Sequence, residues 1–112
     1  MAILVASGMT VSTAAYTKTA DLVSGRNQYV GKGRLQVVAR GSAIGMNITV
    51  NVGGVALADD LPLPFIGTTG ALSVKDHVII DQVVAGGRVE CFLRNTTVGA
   101  LTTDYAIYFT PM

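Results

Sequence analysis

Gly87-Arg88-Val89-Glu90-Cys91-Phe92-Leu93-Arg94 sets an alternating apolar run between two arginines, behind a glycine that marks a turn. Period-two alternation of this kind is the pattern of a strand with one face on a core and the other toward solvent. It puts Val89, Cys91 and Leu93 inward. The same pattern stands 54 residues earlier as Gly33-Arg34-Leu35-Gln36-Val37-Val38-Ala39-Arg40, with Leu35, Val37 and Ala39 on one side. The match continues at the same offset through Ser42 and Thr96, Gly45 and Gly99, and Thr49 and Thr103. The repeat contains no metal cluster and no phosphate loop, so it speaks of architecture. It reads as a hairpin-sized unit used twice.

Further strands follow from the same alternation on either side. Asn47 to Val52 turns Ile48, Val50 and Val52 inward, and Gly53-Gly54 closes a tight hairpin to Val55 through Leu57, because glycines take the positive φ such turns need. A strand from about His77 to Val84 turns at Gly86-Gly87 into the quoted stretch. The last strand, Asp104 to Thr110, puts Tyr105, Ile107 and Phe109 on one side before Pro111. Asp59-Asp60-Leu61-Pro62-Leu63-Pro64 breaks the pattern, since prolines donate no ladder hydrogen bonds. That stretch reads as a crossing between sheets. Seven to nine short strands, glycine-marked turns and no firm helix predict an all-β fold, an antiparallel β-sandwich of jelly-roll or Greek-key type. Residues 1–30, rich in Thr, Ala and Ser, form an extended N-terminal arm or edge strands. A short helix over Thr13 to Val23 is disfavoured by β-branched content. Residues 31–112 form the sandwich.

A chain of 112 residues is one domain, large enough to bury roughly two thirds of its unfolded surface. Half its residues are hydrophobic and only 13% are charged, against about 25% in ordinary soluble domains. Part of its surface is therefore expected to be covered by something else. The net charge of +1 supplies no overall attraction for nucleic acid. The halves differ in sign: residues 1–58 sum to +4 and residues 59–112 to −3. Such a division either joins copies head to tail or mixes over the surface of one copy. Cys91 is the only cysteine, so no internal disulfide forms, and its place in the alternation makes it a buried small hydrophobe. The apolar N-terminal Met1 to Ala6 is too short for a membrane span and lacks a preceding basic segment. Without a secretory signal, Asn47-Ile48-Thr49 and Asn95-Thr96-Thr97 read as chance sequons.

Candidates for chemistry are few. His77 follows Asp76, with Ser73 nearby, yet no nucleophile elbow surrounds that serine. Asp59-Asp60 offers oxygens to calcium, but without an EF-hand or other calcium-loop spacing. Glu90 and Asp104 make a carboxylate pair in a chain with no tryptophan to serve as a sugar platform. Arg34, Arg40, Arg88 and Arg94, with Tyr29 and Phe92, fall short of the dense basic and aromatic track of single-strand binders. No enzyme activity, no cofactor and no metal is expected. The arginines instead suggest capped strand ends and salt bridges between subunits.

The succession Tyr29-Val30-Gly31, Gly33-Arg34-Leu35-Gln36-Val37 and Gly86-Gly87-Arg88-Val89-Glu90-Cys91-Phe92-Leu93-Arg94-Asn95-Thr96-Thr97, closed by a strand and Pro111, resembles small virion proteins of tailed and tailless bacterial viruses. The resemblance covers roughly residues 28–111. Within that group, the major shell protein of tailed phages is far longer and mixes helix with sheet. Small single jelly-roll coats carry a basic arm, where this leader holds only Lys18 and Arg26. Single-stranded RNA phage coats end in helices. The resemblance therefore implies a capsid decoration, or cement, protein of the virion. Such a protein partners itself, as a homotrimer or larger, and a major capsid protein, without binding nucleic acid or membrane. Its interface candidates are Arg34, Arg40, Arg88, Arg94, Asp59 and Asp60. Two other functions stay open: a ligand-binding sandwich holding glycan, receptor or calcium in loops around residues 59–76, and a small coat protein that assembles alone.

Overall fold

The computed structural model describes residues 3–19, 21–23, 29–41, 45–63 and 78–112. Among the described residues eight strands follow in chain order: β1 Ile3–Thr13, β2 Tyr29–Val30, β3 Gly33–Gly41, β4 Met46–Val52, β5 Val55–Pro62, β6 Val78–Val84, β7 Gly87–Asn95 and β8 Leu101–Pro111. They build two antiparallel four-stranded sheets, in the orders β1-β8-β3-β6 and β2-β7-β4-β5. This double-sheet wiring is the jelly roll. The two copies of the quoted pattern are β3 and β7, one inner strand in each sheet.

Alternation decides the core as the sequence predicts. Leu35, Val37 and Ala39 of β3, Ile48, Val50 and Val52 of β4, Val89, Cys91 and Leu93 of β7, and Tyr105, Ile107 and Phe109 of β8 are all buried and form one cluster. A sandwich interior of this kind is filled by the inward residues of both sheets.

Two local readings are corrected. Gly86-Gly87 does not close a hairpin, because β6 pairs with β3 in one sheet and β7 pairs with β2 and β4 in the other. Among these connections only Gly53-Gly54 joins neighbours within a sheet. Asp59 and Asp60 do not begin the crossing; β5 continues through them to Pro62, and as an edge strand it tolerates that proline. The leader takes the edge-strand alternative. Residues 3–13 pair with β8 as the edge of the first sheet, and residues 29–30 pair with β7 as the edge of the second. Between them residues 17–19 and 21–23 lie along β7: Thr19 and Leu22 donate their N–H to the carbonyls of Leu93 and Cys91 at 2.8 Å, and Asn95 donates to Thr17 O at 2.9 Å. This segment extends the edge that the two-residue β2 starts.

The short connections 31–32, 53–54 and 85–86 gather at one end of the sandwich with the start of β1 and the end of β8. Their contact is backbone on backbone. Gly53 donates to Arg88 O at 3.1 Å, and a Cβ on Gly53 would stand 2.8 Å from Gly86 O. Both residues have positive φ, 58° and 117°, so glycine is needed on two counts. At the opposite end the turn after β1 meets the turn after β7, where Tyr16 N donates to Thr97 O at 3.2 Å.

Candidate assembly surface

The four predicted arginines all find acids within their own chain, across sequence gaps too long for local pattern to show. Arg34 Nε and Nη2 grip the two carboxylate oxygens of Asp81 on β6 at 2.6 and 2.5 Å, and Gln36 Nε2 reaches Asp81 at 3.4 Å. Arg40 stands opposite Asp104 of β8 in the ladder, and its Nε and Nη2 donate to Oδ2 at 3.1 and 3.0 Å. Arg88 donates to Asp21 at 2.8 Å and pairs with Glu90 at 3.2 Å. Arg94 grips Asp60 with both Nε and Nη2. No neighbouring subunit is required to explain any of the four. Both strands of the repeat are tied two ways: β3 to β6 and β8, β7 to the leader and to β5.

The acids are positioned by specific backbone devices. Asp59 and Asp60 together face Thr49, because Ile48 pairs Leu61 while Val50 pairs Ala58. The pair is therefore a β-bulge on an edge strand, which re-aims a side chain. Asp60 has φ of 54°, a region Asp tolerates better than most residues, and its N–H donates to Thr49 Oγ1 at 3.0 Å. The bulge swings its carboxylate across β4 to Arg94. Asp59 stays exposed. The hydrogen bonds from Arg94 hold the Asp60 carboxyl below the usual carboxylate range, with Asn47, Arg94's charge and Lys18 adding to the effect against partial burial. Those from Arg34 do the same for Asp81.

Asp21 is a functional acid of the fold that the pattern did not single out. Its Oδ1 accepts from Val23 N at 3.0 Å and Cys91 N at 3.1 Å while Oδ2 holds Arg88. It stitches the leader onto β7. The only sequence sign is that it is the sole acid before residue 59.

Other candidates are placed as follows. Cys91 is buried, and desolvation above all, with the Asp21 charge second, pushes its thiol up to about 12. Phe92 carries the Lys18 ammonium over its ring, 4.6 Å from the centre. Glu90 is engaged by Arg88 and Asp104 by Arg40, so neither faces the other across a cleft. Asn95 is buried, and its amide donates to Thr13 O and Gly99 O at 3.0 and 2.8 Å. A glycan has no access to it. Ser73, Asp76 and His77 lie outside the described residues. Among the described residues no three His, Cys, Asp or Glu side chains gather as a metal site, and no helix is long and apolar enough to cross a membrane.

What faces outward without a charge is a set of apolar side chains: Leu4, Tyr16, Tyr29, Val55, Val83 and Val98 are among the exposed ones. The molecule is a jelly-roll domain in which Arg34, Arg40, Arg88 and Arg94 are answered internally and exposed apolar groups sit at edges and ends. Comparison with protein-family models, with curated proteins and with solved structures finds no match to this chain.

Proposed function

We propose that the chain is a structural virion subunit of the capsid decoration type, stabilising a shell through contacts with its own copies and with a major capsid protein. Jelly rolls serve capsids, lectins and enzymes alike, so the fold alone does not choose among them. The observation that carries the reading is the surface. The paired arginines and acids satisfy one another, and Tyr16, Tyr29, Val55, Val83 and Val98 remain exposed. Exposed apolar groups beside arginines that already hold acids of the same chain favour burial against protein over capture of a polar ligand.

The glycan or calcium reading is less favoured. Asp60 is held by Arg94, and Phe92 lies under Lys18. A coat made of this chain alone uses the same surface, and closed particles on expression would identify it.

The test is to measure the mass of the purified protein and to image shells with and without it. Decoration predicts ordered density on shells and a shell that withstands more heat. A protein that stays monomeric and binds no shell refutes the proposal.

A further inference from the structure

We infer that β1 is an exchangeable strand, which two copies of this chain swap so that β1 of each pairs with β8 of the other. β1 is loosely held, the chain just beyond it is firmly held, and the turn between them is strained.

The loose strand comes first. Eleven residues of β1 face only the stretch of β8 from Leu101 to Phe109, and the register shifts twice, between Leu4 and Ala6 and between Gly8 and Val11. On its other side β8 pairs with β3 without a shift from Gly33 to Gly41, so it keeps its place when β1 leaves. Within residues 3–8 only Val5 is buried, while Ile3 and Leu4 are 39% and 47% exposed. Thr13 and Thr103 weaken the seam further. Both are buried, and among the described residues neither Oγ1 has a hydrogen-bond partner. Such hydroxyls regain water when their cover opens. A strand with so little apolar burial detaches at lower cost than the whole fold unfolds.

Beyond the turn the chain is fastened to the other sheet. Thr19 N donates to Leu93 O at 2.8 Å, and its Oγ1 accepts from Leu93 N at 3.0 Å. Asp21 Oδ1 accepts from Cys91 N at 3.1 Å while Oδ2 holds Arg88 at 2.8 Å. Movement of β1 is thereby confined to a hinge at Ala14, Ala15 and Tyr16.

That hinge is bent against preference. Tyr16 has φ of 54°, uncommon for a bulky residue. The bend is closed by Thr17, whose N and Oγ1 both donate to Ala14 O at 3.2 and 2.7 Å. Extension of the hinge releases the strain, and short strained hinges are the setting for domain swapping.

The exchange itself fixes the occupant. The edge that β1 vacates on β8 is complementary to β1, and a second copy brings the identical strand. Three extended residues carry β1 about 10 Å away from its own sheet, so the two hinge ends must meet. Tyr16 and Val98, 67% and 80% exposed, stand at that new contact. Every ladder contact of the closed subunit is remade between copies, which leaves the two hinges and the new contact to set the balance against association. The inference goes beyond the virion reading and does not depend on it.

Refolding from urea at about 10 μM to 1 mM, followed by sedimentation velocity at the same concentration, tests it. The wild type should contain a dimer whose share rises with concentration. Tyr16→Gly accepts the closed φ freely and should raise the dimer Kd about a hundredfold, roughly tenfold for each relieved hinge. Tyr16→Pro cannot take that φ and should be dimeric at the lowest concentration, although it too lacks the ring. Cross-linking reads the pairing. Leu4 faces Tyr108 in the ladder, so Leu4→Cys and Tyr108→Cys chains refolded together should give a disulfide heterodimer. Leu4→Cys with Val83→Cys, exposed on β6, should not. Wild type and Tyr16→Pro that both stay monomeric at about 1 mM overturn the inference, as does a Leu4/Tyr108 mixture that cross-links no more than the Val83 control. Shell binding is scored separately on Tyr16→Gly, so that failure of the virion reading and failure of the exchange are told apart.

Discussion

Replacing Asp104 by Ala should destabilise the monomer by about 3 kcal/mol. The Arg40 and Asp104 side chains are 10% and 15% exposed, and they join β3 to β8, the two inner strands of their sheet. Beside them Val38 faces Ala106 in the ladder, and both are buried, so little water replaces the hydrogen bonds that Asp104 no longer accepts from the guanidinium. Breaking a buried pair by removing one member costs about 3–5 kcal/mol, and the residual exposure here places the cost at the low end. For a domain of this size that is a fall in Tm of roughly 10–15 °C, from a total stability of about 5–15 kcal/mol. The double variant Arg40→Met/Asp104→Leu should recover most of the loss, because an apolar replacement of such a pair is close to neutral. Urea unfolding of the wild type, both single variants and the double gives the coupling between the two sites. A loss under about 0.5 kcal/mol for Asp104→Ala, within the range of ordinary surface changes, refutes the reasoning. So does a double variant whose loss is the sum of the singles.

Acid should remove stability that Asp60 and Asp81 contribute. Both carboxyls sit below their unfolded value, so the contribution is complete above about pH 4 and disappears as pH falls through the folded values; Asp60→Asn and Asp81→Asn should flatten the acid limb of the stability curve. Asn95→Ala should cost about 3 kcal/mol in urea unfolding, since it strips acceptors or donors from Thr13, Thr97 and Gly99 around a buried site. Cys91 should resist a thiol reagent until the protein unfolds, measured as labelling rate against urea; rapid labelling of the native state contradicts its burial. Association between copies should be indifferent to sodium chloride, and a fall between about 50 and 500 mM would mean that the arginines act between subunits after all.

Strand identity was legible because burial on one face imposes a period of two, which Ile48-Val50-Val52 and Val89-Cys91-Leu93 keep without interruption and Tyr105-Ile107-Phe109 keeps with Ala106 buried as well. Sheet membership was not. Gly86-Gly87 has the dihedral freedom of a hairpin turn, and only the distant pairing of β6 with β3 makes it a passage between sheets. The Asp59-Asp60 bulge hid for a related reason: two extra-polar residues before a proline look like a loop, and opposition to Thr49 alone makes them strand. The ion partners were the least legible. Arg34, Arg40, Arg88 and Arg94 reach acids 47, 64, 67 and 34 residues away, separations set by jelly-roll wiring.

That wiring also resolves the uneven charge of the two halves. Two of the arginines in the positive half, Arg34 and Arg40, bond to Asp81 and Asp104 of the negative half, so part of the polarity along the sequence becomes attraction between neighbouring strands of one sheet. The repeat then has a physical meaning. In β3 and again in β7, an arginine at each end of the alternating run fastens the strand to a different flank. A one-residue slip of β3 would turn Leu35 and Val37 to the outer face and carry both arginines into the core, away from their acids. The charges thus fix register within the subunit.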